Sequence, residues 1–67
     1  MRARNEAHPE AIAFSIEDAA KRISVGRSTI YELIGAKVIR TVHVGRRILV
    51  PESELRRFIA ERMEAAA

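Results

Sequence analysis

Between Lys21 and Arg47 the chain carries seven basic side chains, Lys21, Arg22, Arg27, Lys37, Arg40, Arg46 and Arg47, against the single acid Glu32. That stretch sums to +6, whereas residues 1–20 sum to −2 and residues 48–67 to −1, so the overall +3 understates the asymmetry. Clustered positive charge of this kind suits a polyanion. Ten of the twelve basic residues are arginines, and the planar guanidinium can donate two hydrogen bonds at once to a guanine edge or a phosphate. A GC-rich genome would also favour Arg over Lys, but codon usage does not explain why the basic residues cluster. Ser28, Thr29 and Tyr31 lie within the same stretch and add hydroxyls that can bond a phosphate or a base.

Other chemistries find no support. There is no Cys, hence no disulfide framework and no zinc-thiolate site. His8 and His43 have no further ligand candidates at useful spacing, so a metal site is not expected. Neither a phosphate-binding Gly-rich loop nor a Ser/His/acid set is present, and the reading is of a non-enzyme without cofactor or small-molecule ligand. The chain of 67 residues affords one small domain, and 11 of its residues are alanines, so large core side chains are few. No apolar run reaches the roughly 18 residues of a membrane span, and a soluble cytoplasmic protein is expected.

The elements that must position these residues follow from capping and period. Residues 1–13 lack periodicity and read as a flexible arm. Ser15 with Asp18 three residues later resembles a capping box, and Phe14 and Ala19 form a staple across the first turn of a helix that runs to Arg22 or Ile23. That helix should bury Ile16, Ala19, Ala20 and Ile23. After Ser24-Val25-Gly26 a second helix fits residues 27–34, with Ile30, Leu33 and Ile34 on one arc and Ser28, Tyr31 and Glu32 on the other; Gly35 supplies a left-handed stop. Val38 to Val44 and Arg47 to Val50 then read as strands flanking Gly45-Arg46, a pair suited to a type II′ hairpin. Beyond Pro51 a third helix carries Leu55, Phe58, Ile59 and Met63 at helical spacing to about Glu64, with residues 65–67 frayed. Arg56 and Arg57 read as a solvated face of that helix, paired with Glu52, Glu54 or Glu61. The fold class expected is mainly α with a small β-hairpin, α-turn-α-β-β-α, with its domain over residues 14–64.

Two short helices with a tight turn, followed by a hairpin, make a winged helix-turn-helix. The chain resembles the excisionase and MerR-type family of such proteins over residues 14 to about 60. Ser15-Ile16-Glu17-Asp18-Ala19-Ala20 is similar to the family's opening helix, and Val25 to Ile34 to its recognition segment. Val44-Gly45-Arg46-Arg47 is similar to its wing tip, and Pro51-Glu52-Ser53-Glu54-Leu55 to the start of its closing helix. Three positions depart from the pattern. Ser24 stands where the family usually has Gly, and Gly26 where it has a capping Ser or Thr, which removes a hydroxyl able to reach a phosphate. Glu32 stands where a basic residue is common, and can accept from a cytosine amino group or pair with a neighbouring Arg.

The resemblance implies a division of labour. Arg27, Ser28, Tyr31 and Glu32 would read the major groove; Arg46, supported by Arg47, would enter the minor groove; Lys21, Arg22, Thr29, Lys37 and Arg40 would fix the register on phosphates. It also implies a role: a sequence-specific, DNA-bending excisionase that directs a tyrosine integrase toward excision of a phage or mobile element, working as several copies on tandem sites in a bacterial host cell, associated with the nucleoid. The chain stops where a MerR-type regulator continues into a dimerisation helix and effector domain, which favours this over effector sensing. The alternatives are a small phage or prophage transcriptional regulator of the same fold and, from another class, a protein-interaction module or antitoxin. Leu49, Val50, Ile59 and Met63 are open between core and self-association surface.

Overall fold

A computed structural model describes residues 12–66. Its order is β1 (Ala13–Ser15), α1 (Ile16–Arg22), α2 (Arg27–Gly35), β2 (Val42–Val44), β3 (Arg47–Pro51) and α3 (Glu52–Ala66). The expected winged helix-turn-helix is present, and its hairpin is part of a three-stranded antiparallel sheet of order β1-β3-β2.

The capping signal at Ser15 is real. Its Oγ accepts from the Asp18 N–H at 3.1 Å, satisfying one of the free amides of α1. The same residue ends β1, which pairs Phe14 with Val50 and Ser15 with Leu49. The sequence carries no signal for this strand, because three residues beside a helix cap are too few to show a period of two. Most of the proposed arm lies outside the described residues; of its last two, Ala13 belongs to β1, and the Ile12 carbonyl accepts from the Glu52 N–H at 2.8 Å.

The core joins all three helices and the sheet: Phe14, Ala19, Ala20, Ile30, Ile39, Val50, Leu55 and Phe58. Ala19 and Ala20 let α2 approach α1 closely, and Ile30 fills the space so created with no exposed surface. Ile16 and Ile23, expected to be buried, are half-buried and pack on this cluster with Leu33 and Ile34. Val50 is core and Leu49 half-buried, while Ile59 and Met63 stay exposed.

Both short helices end in the same motif. At α1 the Val25 N–H donates to the Ala20 carbonyl at 2.9 Å and Ser24 to Lys21 at 3.2 Å; at α2 Val38 donates to Leu33 at 2.9 Å and Lys37 to Ile34 at 3.0 Å. These paired bonds define Schellman ends, which need a left-handed residue, and Ser24 (φ 59) and Lys37 (φ 64) take that conformation. Gly35 therefore is not the left-handed stop; it is the last residue of α2, two positions early. The strand expected from Val38 begins only at Val42, because the Val38 and Ile39 amides are used in closing α2 and the Ile39 side chain is driven into the core. The hairpin tip does match: Gly45 has φ 60 and Arg46 does not, the pattern of a type II′ turn. Helix α3 runs to Ala66, past Glu64 and through two of the three residues expected to fray.

Gly26 caps α2 at φ −78 without any side-chain bond, and a Cβ there would meet nothing within 4 Å. The two turn residues are thus in each other's favoured place. Holding an L-residue in the left-handed region costs about 1–2 kcal/mol, and glycine's extra freedom in the unfolded chain returns about 0.4–1 of that. Ser24→Gly should stabilise by about 0.5–1 kcal/mol and Gly26→Ser by a few tenths, measured as shifts in the urea midpoint. The double variant should add the two effects, with a thermal midpoint raised by roughly 4–8 °C.

Candidate nucleic-acid interface

Burial of Ile30 sets the roll of α2 about its axis. Residues 27, 28, 31 and 32 then face solvent, as their wheel positions require. Tyr31 is 46% exposed and lies outside the core, with the Arg27 guanidinium 5.9 Å from its ring centroid. Arg27 also meets Glu17 of α1, with Nη1 to Oε2 at 3.5 Å. Glu17 was not singled out in the sequence: it lies ten positions from Arg27, and only the helix crossing brings the two together. Glu32 has no ion-pair partner among the described residues, so pairing with a neighbouring Arg is not what holds it.

The wing places Arg46 and Arg47 at its exposed tip and start of β3. Thr29 and Lys21 are exposed on their helices, and Lys37 stands at the left-handed end of α2. Arg22 is held differently. Its guanidinium lies 5.1 Å from the Phe14 ring centroid and lines an apolar groove with Ile23, Leu55, Ile59 and Met63. That contact occupies the cation beside α3 instead of alongside Arg27 and Tyr31.

The segment joining α2 to the wing is tied down by two residues of α3. Glu54 accepts the Arg40 backbone N–H at 2.9 Å and an Arg57 Nη2 bond at 2.8 Å, and the same Nη2 donates to the Val38 carbonyl at 2.7 Å. Arg57 further bonds Glu61 at 2.9 Å, and Arg56 pairs with Glu52 at 2.6 Å. These two arginines therefore serve the helix and its neighbours, the structural role read from their i,i+3 and i,i+4 spacing. The tie from Arg57 to Val38 spans nineteen positions and had no signal in the sequence. Because Glu54 fixes the Arg40 backbone, the Arg40 side chain is left three-quarters exposed, its Nε a loose 3.9 Å from the carboxylate.

The hydrogen bonds from Arg57 and then from the Arg40 amide hold the Glu54 carboxyl below its ordinary range, against the opposing effect of burial. Bonds to Glu54 and Glu61 in turn raise Arg57 further above its own. All seven basic residues of the segment 21–47 are exposed, and among the described residues only Arg27 and Arg40 meet a carboxylate. Among the described residues no helix is long and apolar enough to cross a membrane and no acidic or histidine cluster could hold a metal.

A family model described as a helix-turn-helix domain matches residues 13–63, from the first residue of β1 to well into α3. No curated protein and no solved structure is a significant match.

Glu54→Gln should destabilise the fold by about 1–3 kcal/mol, the range for a part-buried donor left without its charged acceptor. The pH response has a fixed sign. A carboxyl with its folded pKa lowered contributes stability above the unfolded value, and that contribution is lost as pH falls through the folded one. The urea midpoint of the wild type should therefore approach that of Glu54→Gln as pH drops below about 4.5.

Proposed function

This chain belongs to the helix-turn-helix domain family, a DNA-binding family that includes excisionase-like proteins, and on that premise we propose that it is a sequence-specific, DNA-bending excisionase. It would direct an integrase toward excision of a phage or mobile element. The observation that supports the DNA-binding part is the contrast in charge neutralisation: α3 pairs two of its three arginines, Arg56 and Arg57, with its own glutamates, while five of the seven cations between Lys21 and Arg47 meet no carboxylate among the described residues.

In this reading α2 lies in the major groove with Arg27, Ser28, Tyr31 and Glu32 toward base edges, each good bidentate pair being worth about 1–3 kcal/mol of discrimination. Arg46 enters the adjacent minor groove with Arg47 behind it, and Lys21, Thr29, Lys37 and Arg40 hold phosphates. Arg22 would have to leave Phe14 to join them. A single recognition helix and wing form an interface of the order of 600–1,000 Å², too small for tight specific binding alone. Several copies on adjacent sites overcome that by sharing one bent duplex, which is also the geometry an integrase needs in order to assemble an excisive complex.

With three to five phosphates neutralised per copy, log affinity should fall against log salt with a slope of roughly −3 to −4.5; a flat response would sink the DNA-binding reading. Arg46→Ala should weaken binding and reduce bending in a circular-permutation gel assay, whereas Arg27→Ala or Tyr31→Ala should relax base preference. Excision assays with the cognate integrase test the finer role. Addition of the protein should shift recombination toward excision, and promoter repression without that shift would make it a transcriptional regulator. Biological function that survives neutralisation of both Arg27 and Arg46, with an affinity that depends little on salt, would point to a protein partner instead.

A further inference from the structure

Arg27 opens α2 directly after Gly26, a cap with no side chain, and no acidic residue lies in the helix's first turn. The free amides and positive end of the helix dipole therefore stand unshielded beside a guanidinium. That field pushes the side chain outward, where a long chain samples many rotamers. Two contacts oppose it. Glu17 reaches across from α1 to Nη1 at 3.5 Å, and Tyr31, one turn along α2, supports the guanidinium from below at 5.9 Å. Glu17 makes this pair even though Lys21, its i+4 neighbour on α1, is the partner that helical spacing offers.

Stability does not account for the contact. Its side chains are 72% and 62% exposed, and such pairs contribute little. Affinity does not account for it either, since a carboxylate beside the recognition helix repels phosphate and lowers attraction to any duplex. Specificity does. A carboxylate 3.5 Å from Nη1 draws that side of the guanidinium inward by charge, which leaves the other N–H donors of the fork facing outward and competes with the nearest phosphate for the cation.

We propose that Glu17 is a positioning residue for base readout: with Tyr31 it orients Arg27 for two-bond recognition of a base edge, an assignment that rests on α2 being the DNA-reading helix. Glu17 thereby exchanges general affinity for discrimination.

The test uses a duplex selected by the wild-type chain from a random pool, a scrambled duplex of equal length and composition, and a panel of single base-pair changes in the selected site. Glu17→Gln should bind the scrambled duplex several-fold more tightly, while the ratio of selected to scrambled affinity falls by about five- to tenfold. The loss should concentrate at the base pair where Arg27→Ala also loses discrimination. In an Arg27→Ala background Glu17→Gln should move both duplexes by the same factor. An unchanged thermal midpoint establishes that the variant is folded, as an exposed pair requires. Equal tightening on both duplexes, with the ratio intact, would overturn the assignment and leave DNA binding standing. A ratio that falls as far without Arg27 would overturn it too. If the wild type selects no sequence from the pool, the functional reading fails and Glu17 with it.

Discussion

The orientation of every polar side chain on the recognition helix depends on how Ile30 is buried. Ala19 and Ala20 clear a floor on α1, Ile30 occupies it with no exposed surface, and the angular spacing of a helix does the rest. Residues 27, 28, 31 and 32 have no other direction to face. A larger residue at Ala20 would lift α2 away and rotate the face that meets solvent. Among the described residues, Ile30, Ile39 and Val50 are the large side chains with no exposed surface. Each comes from a different part of the chain, so the three together set α2, the connection and the wing relative to one another.

Charge is divided along the same lines. Helix α3 pairs Arg56 and Arg57 with its own glutamates, and the Glu54–Arg57 pair also fastens the Val38–Arg40 segment. The connection carries little regular structure between α2 and β2, and without those bonds its carbonyl and amide would have only water. One pair of side chains thus both neutralises itself and fixes the backbone from which Arg40 extends. Among the described residues, five of the seven cations between Lys21 and Arg47 have no such partner, which keeps the potential of that surface positive.

Ser24 and Lys37 illustrate where local composition and local geometry part. Glycine was available at positions 26 and 35, and neither takes the left-handed conformation. The chain accepts strain at Ser24 and Lys37 because each turn is defined by where the next element must go: Val25 and Val38 have to turn back onto the core. The backbone bonds of the two Schellman ends offset part of that strain.

Much of this was legible in the residues themselves. The cap at Ser15, the apolar arc of α2, the hairpin tip at Gly45-Arg46 and the i,i+3 and i,i+4 pairs of α3 all concern residues at most four positions apart, whose meeting is set by the geometry of one helix or one turn. Charge clustering is likewise a property of the linear order. The pairing of β1 with β3, the tie from Arg57 to Val38 and the contact of Glu17 with Arg27 were decided by the tertiary structure alone. Each joins groups from different elements, and such a contact exists only after the core has fixed the angle at which those elements cross; neither residue type nor spacing along the chain carries that angle.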